Sequence, residues 1–262
     1  MMRALTTAAT GMVAQQTNLD VIANNLANAN TNGFKSQRAE FQDLMYQTFR
    51  ASGAASGGDA KLPAAAQVGL GSRFAATSTN FSYGSIQATG NPFDVAINGE
   101  GFFKVTLPDG STAYTRDGSF KPDANGLLVT NDGYPVDPQL TVPTGAQAVT
   151  IAANGTVTAV LPGANDPQPI GNITLAVFPN PAGLTRVGQN LYKSGGGSGD
   201  PVDSTPGEQG TGSLQQRFLE GSNVQIVEEM VRMISAQRSY EINSKAIQTA
   251  DDMLGTLNSL KR

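Results

Sequence analysis

The sequence predicts an α+β fold: an antiparallel pair of terminal helices forming a coiled coil, a central all-β domain of barrel or sandwich type, and an extended insert. Near the N-terminus Leu5, Met12, Leu19 and Leu26 recur every seven residues, and near the C-terminus Ile226, Met233, Tyr240, Ile247 and Leu254 do the same. A seven-residue apolar repeat keeps one seam turned toward a partner helix. Between the two ends, short β-branched runs alternate with glycine-containing turn signals. A chain that leaves along one such helix and returns along another pairs them most simply in antiparallel.

The first helix is expected from residue 3 to about residue 31. Ile22 joins Leu19 and Leu26 on its seam, and Asn32-Gly33 supplies residues that tolerate the left-handed stop. Between Met1 and Phe34 only Arg3 and Asp20 are charged; Asn, Gln and Thr fill the polar face. These are mediocre helix formers. Such a helix is marginal alone in water, so its stability is expected to come from neighbouring helices on more than one side.

Residues 34–50, with Phe41, Leu44, Met45 and Phe49, fit either a short helix or a strand. Residues 51–80 are rich in Ala, Gly and Ser, and read either as a linker or as a long extended hairpin lying on neighbouring subunits. From Phe81 to Leu191 the signals are β. Asn98-Gly99 with Gly101 reads as a hairpin turn, and Asp117-Gly118, Asp123 to Gly126, Asn131 to Gly133 and Asn154-Gly155 punctuate further short strands. Residues 194–213 read as a flexible connector. The second helix is expected to start near Ser222, with Ser222 and Gln225 at capping-box spacing, and to run to Leu260. Glu228–Arg232 and Glu241–Lys245 support it as i, i+4 pairs. The resulting division is a terminal helical domain of residues 1–33 and 222–262, a connecting region of 34–80 and 192–221 that holds the insert (about 46–73), and a β domain of 81–191.

Composition narrows the function. Charged residues make up 15% of the 262, against the usual ~25%. A surface this poor in charge suits a chain that buries much of itself in neighbours. The net charge of −4, with no basic patch, argues against nucleic acid. Cys, His and Trp are absent, which removes disulfides, thiolate sites and the commonest general base. No apolar run reaches the length of a membrane-spanning helix, and MMRALTTAATGMVAQQ does not read as a Sec leader. Asp123-Ala-Asn-Gly126 lacks the remaining ligands of a calcium loop. Glu100, Asp109, Asp117 and Asp132 lie in or beside turn signals, where Asp is expected for local hydrogen bonds rather than for glycoside hydrolysis. The sequence thus points to no catalytic, metal-binding or cofactor-binding residue and to no cofactor.

Three stretches carry a likeness to a known family: LDVIANNLANANTNGFKSQRAEF (Leu19 to Phe41), DVAINGEGFFKV with the following YTRDGSF (Asp94 to Phe120), and GSNVQIVEEMVRMISAQRSYEINSKAIQTADDML (Gly221 to Leu254). In the first, Ala23, Asn24, Asn25, Leu26, Ala27, Asn28, Thr31, Gly33 and Phe34 form the signature. The chain resembles the flagellar rod and hook family of axial proteins, and most of all its distal-rod members. Its length leaves no room for a further outer domain, and Tyr46 to Arg73 resembles the insert that sets the distal rod apart from the hook. The resemblance implies a structural, non-enzymatic subunit of the basal-body distal rod. Such a subunit polymerises helically into a rigid hollow drive shaft that transmits torque around the export channel. It implies helix packing through the seam residues above and insert contacts through Tyr46, Leu62 and Pro63. The implied partners are further copies of the chain, proximal rod proteins, the hook protein, the surrounding ring proteins and the flagellar type III export apparatus. The implied location is the periplasm-spanning rod, reached without a cleaved leader. A proximal rod or hook paralogue is the nearer alternative, and a cell-wall hydrolase the more distant one.

Overall fold

Two compact units make up the chain: residues Met1–Leu26, Gln37–Ser78 and Gln225–Arg262 form one, and Ala27–Ser36 with Thr79–Val224 the other. The computed structural model describes residues 2–51, 64–163, 166–208 and 210–259; Leu62 and Pro63 fall outside that range.

The first unit contains both helices, α1 (Met2–Ala27) and α2 (Ile226–Ser259). α1 stops short of residue 31 because Asn28 and Thr31 bond to each other. The Thr31 hydroxyl donates to Asn28 Oδ1 at 3.1 Å and the Thr31 amide to the Asn28 carbonyl at 3.2 Å. Short polar side chains of this kind compete with the helical ladder. α2 begins at Ile226 rather than Ser222. The Ser222 hydroxyl accepts the Val224 amide at 3.2 Å in a turn ahead of the helix, and Glu229 N–H donates to the Gln225 carbonyl at 3.0 Å.

Two contacts among the described residues show how the helices meet. A Cβ added to Gly11 would stand 3.0 Å from Asn243 Nδ2, and Asn25 Nδ2 donates to Glu229 Oε2 at 3.3 Å. Position 11 meets 243 and position 25 meets 229, so the helices run in opposite directions where they touch. Residues 34–50 form strands: Gln37–Asp43, which pairs with Ser72–Thr79, and Tyr46–Arg50, which pairs antiparallel with Ala66–Gly69.

The second unit is a β body. Its largest sheet runs, in order, Thr185–Gly188, Leu191–Lys193, Thr112–Thr115, Phe102–Thr106, Leu175–Val177 and Val202–Ser204, with Val136–Asp137 also paired to Phe102–Thr106. A second sheet joins Ala148–Ile151, Thr156–Val160 and Gln168–Asn172. Asn154-Gly155 links its first two strands, with Gly155 at φ 85°. Among the described residues these sheets close into no barrel. The largest sheet ends in two strands, Thr185–Gly188 and Val202–Ser204, that do not pair with each other, so it stays open.

Two expectations give way here. The strand Val95–Asn98 does not form a hairpin with Phe102–Thr106; it pairs with Ser213–Gln216. Gly99 is where the backbones close up, since a Cβ there would come within 2.5 Å of Gly212 Cα. Residues 194–213 are structured over the described positions. Val202–Ser204 pairs with Leu175–Val177, and the buried Ser198 hydroxyl accepts the Gly195 amide at 3.0 Å.

The main core collects Val95, Ile97, Phe103, Phe120, Val136 and Leu175, with Phe103 and Phe120 edge to face at 5.1 Å. Aromatic pairs in this arrangement stabilise by about 0.5–1.5 kcal/mol beyond their burial.

Candidate assembly site

In the helical unit the deepest positions are Ala14, Ile22 and Asn25 on α1 and Glu229, Ala236 and Ala250 on α2. Of the residues predicted on the seam, Ile22 is buried. Leu5, Met12, Leu19, Leu26, Met233, Ile247 and Leu254 are half-buried, and Ile226 and Tyr240 are exposed. Asn25 serves as a connector. Its amide oxygen accepts the Gln37 amide at 2.9 Å and its Nδ2 donates to the Gln37 carbonyl at 2.8 Å, which imitates a strand pairing. The same Nδ2 reaches Glu229, whose other oxygen accepts Arg232 at 3.0 Å; Arg232 also bonds Glu228 at 2.6 Å.

A second apolar stripe runs along α2. Val227, Val231, Ile234 and Ile242 are exposed. At ~100° of rotation per residue they fall on the side opposite Glu229, Ala236, Asn243 and Ala250. The two-stranded ribbon adds Met45, Tyr46, Phe49 and Val68, all exposed. Tyr46 lies across Gly69, where an added Cβ would meet its ring at 3.4 Å.

In the β body three stretches meet: 32–36 where the chain enters, 80–85 where it returns, and 217–223 where it leaves. Lys35 is fully buried. Its Nζ stands 2.5 Å from Glu220 Oε1 and donates to the Ser82 carbonyl at 2.8 Å. The same Glu220 oxygen accepts Gly84 N–H at 3.0 Å. Arg116 Nε faces Glu220 Oε2 at 3.6 Å, and neither atom has a hydrogen-bond partner. Arg116 also donates to the Gly99 carbonyl at 2.9 Å and lies over the rings of Tyr83 and Phe102. Two cations thus share one carboxylate. Burial pushes the Lys35 amine below its ordinary value; the Glu220 charge opposes this and Arg116 adds to it.

The backbone follows the side chains. Gly33 N–H donates to the Glu220 carbonyl at 2.8 Å, Ser36 N–H to Asn223 Oδ1 at 2.7 Å, and Gly221 N–H to the Ser85 carbonyl at 2.8 Å. Asn223 Nδ2 donates to the Asn80 carbonyl at 2.8 Å. Gly33 is required: its φ is +67°, and a Cβ would stand 2.6 Å from the Asp117 amide nitrogen. Phe34 is buried under the Arg186 guanidinium, 5.0 Å from the ring centroid, and Arg186 also donates to the Lys35 carbonyl.

The signature residues therefore divide between the two units. Ala23 and Asn24 are exposed, Leu26 is half-buried and Asn25 is buried in the first; Ala27 is exposed, Asn28 and Thr31 are half-buried, and Gly33 and Phe34 are buried in the second. Lys35, Arg116, Glu220 and Glu229 went unnoticed in the sequence; charged residues with strand-like or helical neighbours give no local sign of burial.

Asp109 and Asp117, weighed for catalysis, and Asp123, weighed for calcium, are engaged in turns. Asp123 accepts the amides of Asn125 and Leu127 at 2.7 and 2.9 Å. Asp109 accepts both the hydroxyl and the amide of Ser111, which brings its carboxyl down to about 2. Asp117 accepts the Ser119 amide at 3.0 Å, and burial raises its carboxyl.

Three family models match the chain: "Flagella basal body rod protein" over residues 5–35, "Flagellar hook protein FlgE/F/G D1 domain" over 96–159, and "Flagellar basal body rod FlgEFG protein C-terminal" over 215–260. Lys35, Arg116 and Glu220 each fall in a different one of these stretches. The chain is 53% identical to the flagellar basal-body rod protein FlgG of Borreliella burgdorferi over 264 residues, covering 100% of both chains. It is 46% identical to FlgG of Caulobacter vibrioides, covering 99% of this chain and 100% of that one. It is 42% identical to FlgG of Bacillus subtilis, covering 100% of both.

Proposed function

Because this chain belongs to the family of flagellar basal-body rod proteins that includes FlgG, we propose that it polymerises with its own copies into the hollow, torque-bearing shaft of the distal rod. As a member of that family it is a structural subunit of the flagellar basal body. In this reading the terminal helices pack as coiled coils among neighbouring copies, the β body forms the outer wall, and the ribbon braces adjacent subunits. The shaft spans the periplasm and meets proximal rod proteins, the hook protein and the surrounding rings. The chain reaches it through the flagellar export apparatus, and it performs no catalysis.

The observation that carries this reading is the pair of apolar stripes on opposite sides of α2. A helix of 34 residues, about 50 Å long, that is apolar on two sides is built to be enclosed by other helices. Exposed apolar surface on this scale marks an interaction face. The full-length Val231→Asp variant tests it. We expect a folded chain, judged by circular dichroism, that forms no filaments under conditions where the unaltered chain does. Filaments of normal length and abundance from this variant would defeat the proposal.

A further inference from the structure

We propose that Lys35, Glu220 and Arg116 form a charged latch that holds the entering, returning and leaving stretches of chain onto the β body as one unit, and that this unit opens separately from the body's apolar core. The inference stands independently of polymerisation, since every group in it belongs to the β body of a single chain.

Two observations separate the latch from the core. The main apolar cluster, counting the side chains packed against it, draws no residue from before Phe93 or after Leu214. The returning stretch sets Phe81 against Phe102 and Tyr192 in a separate, smaller apolar cluster, but the three stretches are joined to one another by polar contacts, and most converge on two side chains. Glu220 holds Lys35 by one oxygen, accepts Gly84 N–H on the same oxygen, and faces Arg116 with the other. Asn223 accepts Ser36 N–H and donates to the carbonyls of Asn80 and Ser82. The pairing of Phe218–Glu220 with Ile86–Ala88 completes the unit.

The charges make its closure conditional. A buried carboxylate left without a partner is strongly unfavourable. Without Lys35, Glu220 would keep the Gly84 N–H on one oxygen, and its one remaining charged neighbour would be Arg116, at 3.6 Å and without a hydrogen bond between them. Met is close to Lys in volume but carries no charge. Lys35→Met therefore removes the charge while leaving the space filled.

Native-state amide exchange on the full-length chain tests this. In Lys35→Met, protection at Gly33, Ser36, Gly84 and Gly221 should fall by about a hundredfold or more, while the strands Phe102–Thr106 and Thr112–Thr115 keep theirs. An equal loss in those strands would show that the latch is simply part of the core. Undiminished protection at the four amides would show that the charge holds nothing. Both results overturn the proposal. Should the variant fail to fold, the unaltered chain in low urea decides. The four amides should exchange through one shared opening at lower urea than the body strands, and a single opening common to both would overturn the latch.

Discussion

In the β body, Val95, Phe103, Phe120, Val136 and Leu175 shut one another off from solvent, whereas in the helical unit Val13, Val227, Val231 and Ile242 stand largely exposed. Both regions carry apolar side chains at regular intervals, so hydropathy alone does not distinguish them. The difference lies in whether one chain can supply both sides of each contact. In the body, strands distant in sequence bring a second apolar layer to every inward position. In the helical unit the facing positions, Ile22 apart, are Gly11, Ala14, Asn25, Glu229, Ala236 and Asn243, which are small or polar and leave the larger side chains uncovered. Burying a Val or Ile fully is worth about 1.5–3 kcal/mol. The helical unit leaves that stabilisation to be gained from outside the chain.

Substitutions on either side should behave accordingly, and the largest effect is expected in the body. Phe103→Ala deletes a fully buried ring packed on Phe120. It should lower the unfolding free energy by about 3–5 kcal/mol in urea titrations; a loss below about 1 kcal/mol would mean that the body is not the self-sufficient region. Gly33→Ala forces a Cβ against the backbone of Arg116 and Asp117 at a left-handed φ. A cost of roughly 1–3 kcal/mol is expected, read from the same titrations.

The smallest effect belongs to the helices: Val227→Ser should change the stability of the isolated chain by less than about 0.5 kcal/mol. A larger loss in dilute solution would show that this face is already covered within one molecule.

Much of the outline can be read from sequence because it is local. The heptad spacings mark two helices, and Asp123, Asn131-Asp132-Gly133 and Asn154-Gly155 mark turns whose hydrogen bonds close within a few residues. What escapes is non-local. Nothing near Val95 announces Ser213–Gln216 as its partner, and nothing near Lys35 announces a carboxylate 185 positions away. The line of contact between α1 and α2 escapes for another reason. Gly11, Ala14, Asn25 and Glu229 mark close approach and polar pairing, and neither leaves a hydropathy signal.

The ribbon formed by Tyr46–Arg50 and Ala66–Gly69 has a practical corollary. Two strands alone are barely stable in water, and Tyr46 and Phe49 sit on them in the open. A digestive enzyme that cuts after aromatic residues will therefore nick a free chain here long before it reaches Phe103. Chains whose ribbon is covered by neighbours will resist. The rate of that first cut is a clock for how much of a sample remains unassembled.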